Sequence, residues 1–117
     1  MAVADDGADG RLEEEIRRAA VPAPRLGKFI RHLENRREFN RPHRVPSLSA
    51  DDPGYDRVWG RYWRGSVWPS TNYMVLRGLT AAGRDDLAYD IAANHHANVI
   101  RVFEKTGTVW ENYAAER

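Results

Sequence analysis

The sequence contains no cysteine, which removes disulfides, thiolate nucleophiles and Cys-ligated zinc together. It also lacks an excess of either charge, with a formal net charge of +1 at pH 7. The basic footprint required for nucleic acid or an anionic membrane surface is therefore missing, and neither partner is expected. No apolar run approaches the ~20 residues of a membrane-spanning helix. Met1 to Gly10 is small and acidic, without the basic and apolar regions of a secretory signal. A cytoplasmic location is the expectation. There is no phosphate-cradling glycine loop, no nucleophile elbow and no zincin pattern. Neither a cofactor nor a metal site is expected.

What is present is uneven. The 117 residues are 42% hydrophobic and 30% charged, which suits one small domain or a part of a larger one. All four tryptophans lie between Trp59 and Trp110, and the first third, rich in Arg and Glu, has none. Residues 1–10 read as a disordered start. Leu12, Ile16 and Ala19 or Ala20 share one side of a helix over 11–20, with Glu13-Glu14-Glu15 and Arg17-Arg18 on a solvated face. Val21-Pro22-Ala23-Pro24 ends it. A second short helix fits 24–34, where Leu26, Phe29, Ile30 and Leu33 form the stripe. Residues 35–67 then show turn signals and little period, punctuated by Pro42, Pro46, Pro53-Gly54 and Gly60. Such a length without regular structure is uncommon in a compact domain and usually functional. Because it carries Phe39, Tyr55, Trp59 and Tyr62, it is expected to pack over the rest of the chain.

A helical hairpin follows. Pro69 suits a first helical turn, with Ser70 and Thr71 as capping candidates. Tyr73, Leu76, Leu79 and Thr80 mark one side, and Gly83 is the stop. Asp85 or Asp86 is suited to cap the next helix. Its stripe runs through Ala88, Ile91, Ala92, His95, Val99, Val102 and Phe103 and stops at Gly107. Thr108 to Tyr113 leaves as a loop. The class is all-α. The hairpin's apolar faces are broad for the partner surface this chain offers, which points to part of a larger helical barrel. The alternative is a compact small domain.

Three aromatic stretches carry candidate chemistry: Trp63-Arg64-Gly65-Ser66-Val67-Trp68-Pro69, then Asn72-Tyr73, then Trp110-Glu111-Asn112-Tyr113. Together they offer flat faces for a sugar ring, polar groups for its hydroxyls and one carboxylate for the anomeric carbon. Glu111, beside the indole of Trp110 with Asn112 and Tyr113 adjacent, is the candidate general base; the competing reading is a solvated loop glutamate. Trp63 and Trp68 are either a sugar platform or core, and Arg64 either a fork onto hydroxyls or a structural ion pair. Gly65 permits close approach of the backbone to a ligand, and Asn72 sits one turn into the helix. His95-His96 resembles a metal pair, but neighbours on a helix diverge. His95 on the apolar stripe is expected to be a hydrogen-bonded core residue. Asp51-Asp52 and Asp85-Asp86 read as turn and cap residues.

Tyr62-Trp63-Arg64-Gly65-Ser66-Val67-Trp68-Pro69-Ser70-Thr71-Asn72-Tyr73 resembles a signature stretch of glycoside hydrolase family 63 and the related mannosylglycerate hydrolase-like enzymes. Val45-Pro46-Ser47-Leu48-Ser49-Ala50-Asp51-Asp52-Pro53-Gly54-Tyr55 ahead of it and Thr106-Gly107-Thr108-Val109-Trp110-Glu111-Asn112-Tyr113 after it fit the same group, so the likeness covers roughly residues 22–117. It implies an (α/α)6 barrel and hydrolysis of α-linked glucosides or mannosides with inversion. It makes Glu111 the general base, with Trp63, Arg64, Gly65, Trp68, Asn72, Tyr73, Trp110 and Tyr113 lining the cleft for an oligosaccharide or small glycoside. Two features depart from the pattern. The family's general-acid aspartate stands in a Trp-Asp-Asn-Ser-Pro-like phrase that does not occur here, and Ala115 stands where proline is expected. Residues 11–117 are accordingly expected to be the C-terminal segment of a catalytic domain, inactive until a partner supplies the missing N-terminal part of the barrel. The alternative function is a non-catalytic carbohydrate-binding or interaction module that retains the aromatic platform.

Overall fold

The structure, a computed structural model, describes residues 23–117. The disordered start over 1–10 and the helix over 11–20 lie outside the described residues. Three helices are present among those described: α1 (Ala23–Glu34), α2 (Pro69–Ala81) and α3 (Asp85–Thr106). They hold no strand beyond two isolated antiparallel bridges, Pro46 with Val67 and Val67 with Tyr113. None of the helices is long and apolar enough to cross a membrane.

The helix boundaries follow local chemistry. Ile30 and Leu33 bury the inner face of α1, while Phe29 stays partly exposed. Its last turn carries Arg31 and His32, which suit the negative end of the helix dipole. Pro69 opens α2 at its first position, where its missing N–H costs nothing. Ser70 and Thr71 do not cap it. The N-cap is Trp68, without a side-chain cap bond, and the Thr71 hydroxyl instead donates to the Trp68 carbonyl at 3.1 Å. Gly83, at φ +78°, turns the chain into α3. Arg84, rather than either aspartate, is the N-cap of α3. Asp85 and Asp86 occupy the first turn, where negative charge is favoured, and Asp86 accepts the Arg84 guanidinium at 3.0 and 3.1 Å. Gly107 closes α3 in the left-handed conformation.

The main core joins Ile30 and Leu33 of α1, Leu79 of α2 and Leu87, Ala88 and Ile91 of α3 around Val45, with Leu26, Phe39, Val75 and Leu76 packed on it. The expected stripes hold at Leu79, Ala88, Ile91 and His95, which are buried, and depart from the expectation at their edges. Tyr73 and Phe103 are largely exposed, Thr80 faces out, and Leu87 and Asn98 are buried instead. A second cluster holds Val67, Tyr113 and Ala115 against Val99 and Val102.

Residues 35–68 supply Val45 to that core without forming an element of their own. Their backbone is satisfied by side-chain amides reaching from the helices. Asn72 of α2 is 1% exposed and bonds both groups of the Arg44–Val45 peptide, which is cis. Its Oδ1 accepts from Val45 N at 2.9 Å and its Nδ2 donates to Arg44 O at 2.8 Å. Asn94 of α3 spans the two preceding peptides, accepting from Arg44 N at 2.8 Å and donating to Pro42 O at 2.9 Å. Arg44 then reaches Asp90 at 2.8 Å.

The chain's last residues are clasped to the same segment. Glu116 accepts Nε and Nη2 of Arg41, each at 2.7 Å, and the Tyr55 hydroxyl at 2.7 Å, while His43 N donates to Ala115 O at 2.9 Å. The Arg41 fork and the Tyr55 donor hold the Glu116 carboxyl below its ordinary value, against the opposing effect of burial. Burial, then the Glu116 hydrogen bond, pushes the Tyr55 hydroxyl up.

Two outcomes follow from these contacts. Asn72→Ala strands a buried N–H and a part-buried C=O and should cost about 2–3 kcal/mol of unfolding free energy in urea titration; a loss near zero would mean that the amide is not holding the segment. A carboxyl with a lowered folded value stabilises above its ordinary value, and that contribution is lost as pH falls through the folded one. Wild-type protein should therefore lose stability as pH drops below about 4.5, and Glu116→Gln should show a smaller acid-induced loss in paired melts.

Candidate active site

Val67 organises the site. It is 0% exposed and exchanges two backbone hydrogen bonds with Tyr113, at 2.8 and 2.9 Å. On its other side Ser47 N donates to Ser66 O at 2.9 Å, and Gly65 N donates to the Ser47 hydroxyl at 3.2 Å. Three stretches distant in sequence, around residues 46, 67 and 113, thus lie side by side.

The aromatics form a compact group above this seam. Trp63 and Trp68 stack nearly parallel, centroids 4.1 Å apart at 9°. Tyr62 meets Trp68 edge-on at 4.5 Å and Trp63 at 5.8 Å, geometries that rings favour. The two readings of the tryptophans divide between them: Trp68 is core at 5% exposure, and Trp63 is a surface ring at 51%. Trp68 is held further by its Nε1, which donates to Tyr62 O at 2.9 Å.

Glu111 reaches this group from the loop after α3. It is exposed, and its Oε1 accepts the Tyr62 hydroxyl at 2.8 Å. The support expected from its own motif goes elsewhere. Trp110 turns its indole toward the end of α3, with Nε1 donating to the Thr106 hydroxyl at 3.0 Å. The Tyr113 hydroxyl accepts Trp110 N at 3.0 Å, bracing the loop rather than the carboxylate.

The remaining candidates make contacts that the sequence did not show. Gly65, at φ +133°, brings the backbone against Tyr55; a Cβ there would lie 2.7 Å from the Tyr55 ring. Arg64 is exposed, and its Nε donates to Gly54 O at 2.7 Å, a bond to backbone instead of an ion pair. Asn72 has both ends of its amide engaged with backbone. The expected site residues also line separate hollows. Trp63 borders an apolar one of about 300 Å³ with Phe29, Leu33, Phe39 and Val75. Asn72, Tyr73 and Tyr113 border another of about 320 Å³ with His95 and His96.

His95 is buried as expected and meets Tyr113 edge-on at 6.1 Å. Its Nδ1, however, has no hydrogen-bond partner among the described residues, and burial, then His96, lowers its basicity. No group of three or more metal-ligating side chains occurs among the described residues. Sequence reasoning missed the Tyr62 contact to Glu111, because the two residues are 49 positions apart. It also missed the Arg41, Tyr55 and Glu116 cluster, for which no motif exists.

Comparison with known proteins identifies the family. Residues 18–117 match the model of the mannosylglycerate hydrolase MGH1-like glycoside hydrolase domain. A protein of Schizosaccharomyces pombe named probable mannosyl-oligosaccharide glucosidase is 32% identical over 99 residues, 76% of this chain and 12% of its own length. A mannosylglycerate hydrolase of Thermus thermophilus is 32% identical over 88 residues, 75% of this chain and 17% of its own length. The crystal structure of a family 63 mannosylglycerate hydrolase from Thermus thermophilus in complex with glucose superposes with a TM-score of 0.64 at 25% identity, covering 86% of this chain and 22% of that one. The chain therefore spans less than a quarter of each of these relatives. Because the family match includes all three stretches that meet at Val67, this chain belongs to the mannosylglycerate hydrolase MGH1-like glycoside hydrolases of family 63.

Proposed function

We propose that this chain is the base-bearing, C-terminal segment of an (α/α)6-barrel glycosidase that hydrolyses α-glucosides or α-mannosides with inversion. The observation that carries this reading is Glu111 mounted at the edge of the Tyr62, Trp63 and Trp68 cluster, a carboxylate beside aromatic faces. Apolar sugar faces stack on exposed rings such as Trp63, and a carboxylate alongside serves the anomeric carbon.

In this mechanism Glu111 removes a proton from a water whose oxygen bonds to the anomeric carbon. The glycosidic C–O bond breaks as a general acid protonates the leaving oxygen. Inverting pairs stand about 6.5–9.5 Å apart to admit that water. The acid is an aspartate outside this chain, and the isolated chain is inactive for lack of it. The exposed Tyr73, Met74, Tyr89, Ile100 and Phe103 are candidate contacts for the neighbouring helices of the barrel. Asn72 and Gly65 serve the reaction by shaping the backbone beneath the rings. The glucosidase and the mannosylglycerate hydrolase among its relatives favour an α-glucoside or mannosylglycerate substrate.

Hydrolysis of aryl α-glucosides and α-mannosides should be absent for the chain alone and appear when an aspartate-bearing complement of the barrel is added. In that active assembly Glu111→Gln should lower kcat by about 10²–10⁴-fold while sugar affinity is kept. A Glu111→Gln variant with wild-type rate would remove Glu111 from the role of base. Sugar binding without hydrolysis in every combination would favour a carbohydrate-binding module.

A further inference from the structure

Glu111 has three rotatable side-chain bonds and lies exposed in a loop, yet a base must present one oxygen at one place. Among the described residues its one hydrogen bond comes from the Tyr62 hydroxyl, at 2.8 Å to Oε1. We infer that Tyr62 is the positioning residue of the site, binding Oε1 of Glu111 so that Oε2 alone faces the attacking water. This inference rests on the reading of Glu111 as the base.

The mounting of Tyr62 supports the role. Its ring stands edge-on to buried Trp68 at 4.5 Å, and its carbonyl accepts the Trp68 indole N–H at 2.9 Å. The turn that presents it is unusual. Gly60, Arg61 and Tyr62 are consecutive residues at positive φ, +70°, +33° and +65°, a conformation costly for side-chain-bearing residues and concentrated at functional sites. Asp56 holds that turn, accepting Val58 N at 3.0 Å, Trp59 N at 2.9 Å and Arg61 Nε at 2.7 Å. A Cβ on Gly60 would meet the Ser66 hydroxyl at 2.5 Å, so the turn is pressed against the stretch that carries Val67. The hydroxyl is thereby fixed to the core from one side while the Glu111 loop is fixed to Val67 from the other. A phenol between them is long enough to join both and rigid enough to select one carboxylate rotamer. The Glu111 hydrogen bond, then its charge, holds the Tyr62 phenol above its ordinary value of 10.0, as a donor committed to an ionised carboxylate must be.

The division of labour between the carboxylate oxygens follows. The water gives its proton to Oε2 as its oxygen bonds to the anomeric carbon, and Oε1 stays hydrogen-bonded to Tyr62 throughout. Tyr62 keeps its own proton and touches neither the water nor the leaving group.

The test has two arms. In the chain itself, ring-carbon NMR with labelled tyrosine follows each phenol separately, and the signal lost in Tyr62→Phe identifies residue 62. Its titration midpoint should lie above 10.0 and fall toward that value in Glu111→Gln; a midpoint unmoved by Glu111→Gln overturns the inference. In the active assembly that carries the general acid, Tyr62→Phe keeps the ring and removes the hydroxyl. It should lower kcat by about 10–100-fold with KM within about twofold, and an unchanged kcat overturns the positioning role. Failure of the base reading looks different: Glu111→Gln would retain turnover whatever the titration shows.

Discussion

The backbone pairing of Val67 with Tyr113 is the constraint on which the rest of the structure depends. Its two hydrogen bonds bring the loop after α3 back to the residues just before α2. Val67, with no exposure of its own, directly precedes Trp68 and by this pairing anchors the loop that carries Glu111. Pro46 and Ser47 close its other side, so the irregular segment between α1 and α2 is drawn into the same seam. One residue therefore sets the relative position of three stretches that no continuous element connects.

The long segment between α1 and α2, residues 35–68, has many backbone groups to satisfy. Here the solution is side-chain amides and charged forks rather than a sheet. Asn72 and Asn94, one from each helix of the hairpin, grip adjacent peptides. Arg41, Tyr55 and Glu116 tie the far end. These groups are buried or half-buried, where an unpaired partner is expensive, so the segment has little freedom despite lacking helix or strand. That rigidity lets a glutamate in a short surface loop meet a tyrosine hydroxyl held by a distant turn.

The residues that the resemblance assigns to the sugar divide by exposure. Trp63 and Glu111 lie at the surface. Trp68, Asn72 and Tyr113 are buried, and each is engaged with the residues beneath the site: Trp68 with Tyr62, Asn72 with the Arg44–Val45 peptide, Tyr113 with Val67. A motif of this kind encodes a scaffold as much as a contact surface, which is why its residues cannot all be assigned to the ligand from sequence order.

By itself the sequence determined the helices and their ends. Pro69 at a first turn, Gly83 and Gly107 after last turns, and apolar spacing of three and four residues act locally, and the observed α1, α2 and α3 follow them closely. It also determined the family through the three motif stretches. The edges of the helical stripes, where Leu87 and Asn98 are buried and Tyr73 and Phe103 exposed, were decided only by what packs against each helix, because periodicity defines a face but not its neighbour. The partner of Glu111 was a tertiary decision for the same reason. Trp110, Asn112 and Tyr113 are its neighbours along the chain, yet the hydrogen bond comes from Tyr62. Only the fold, by joining Val67 to Tyr113, brings those two side chains within 2.8 Å.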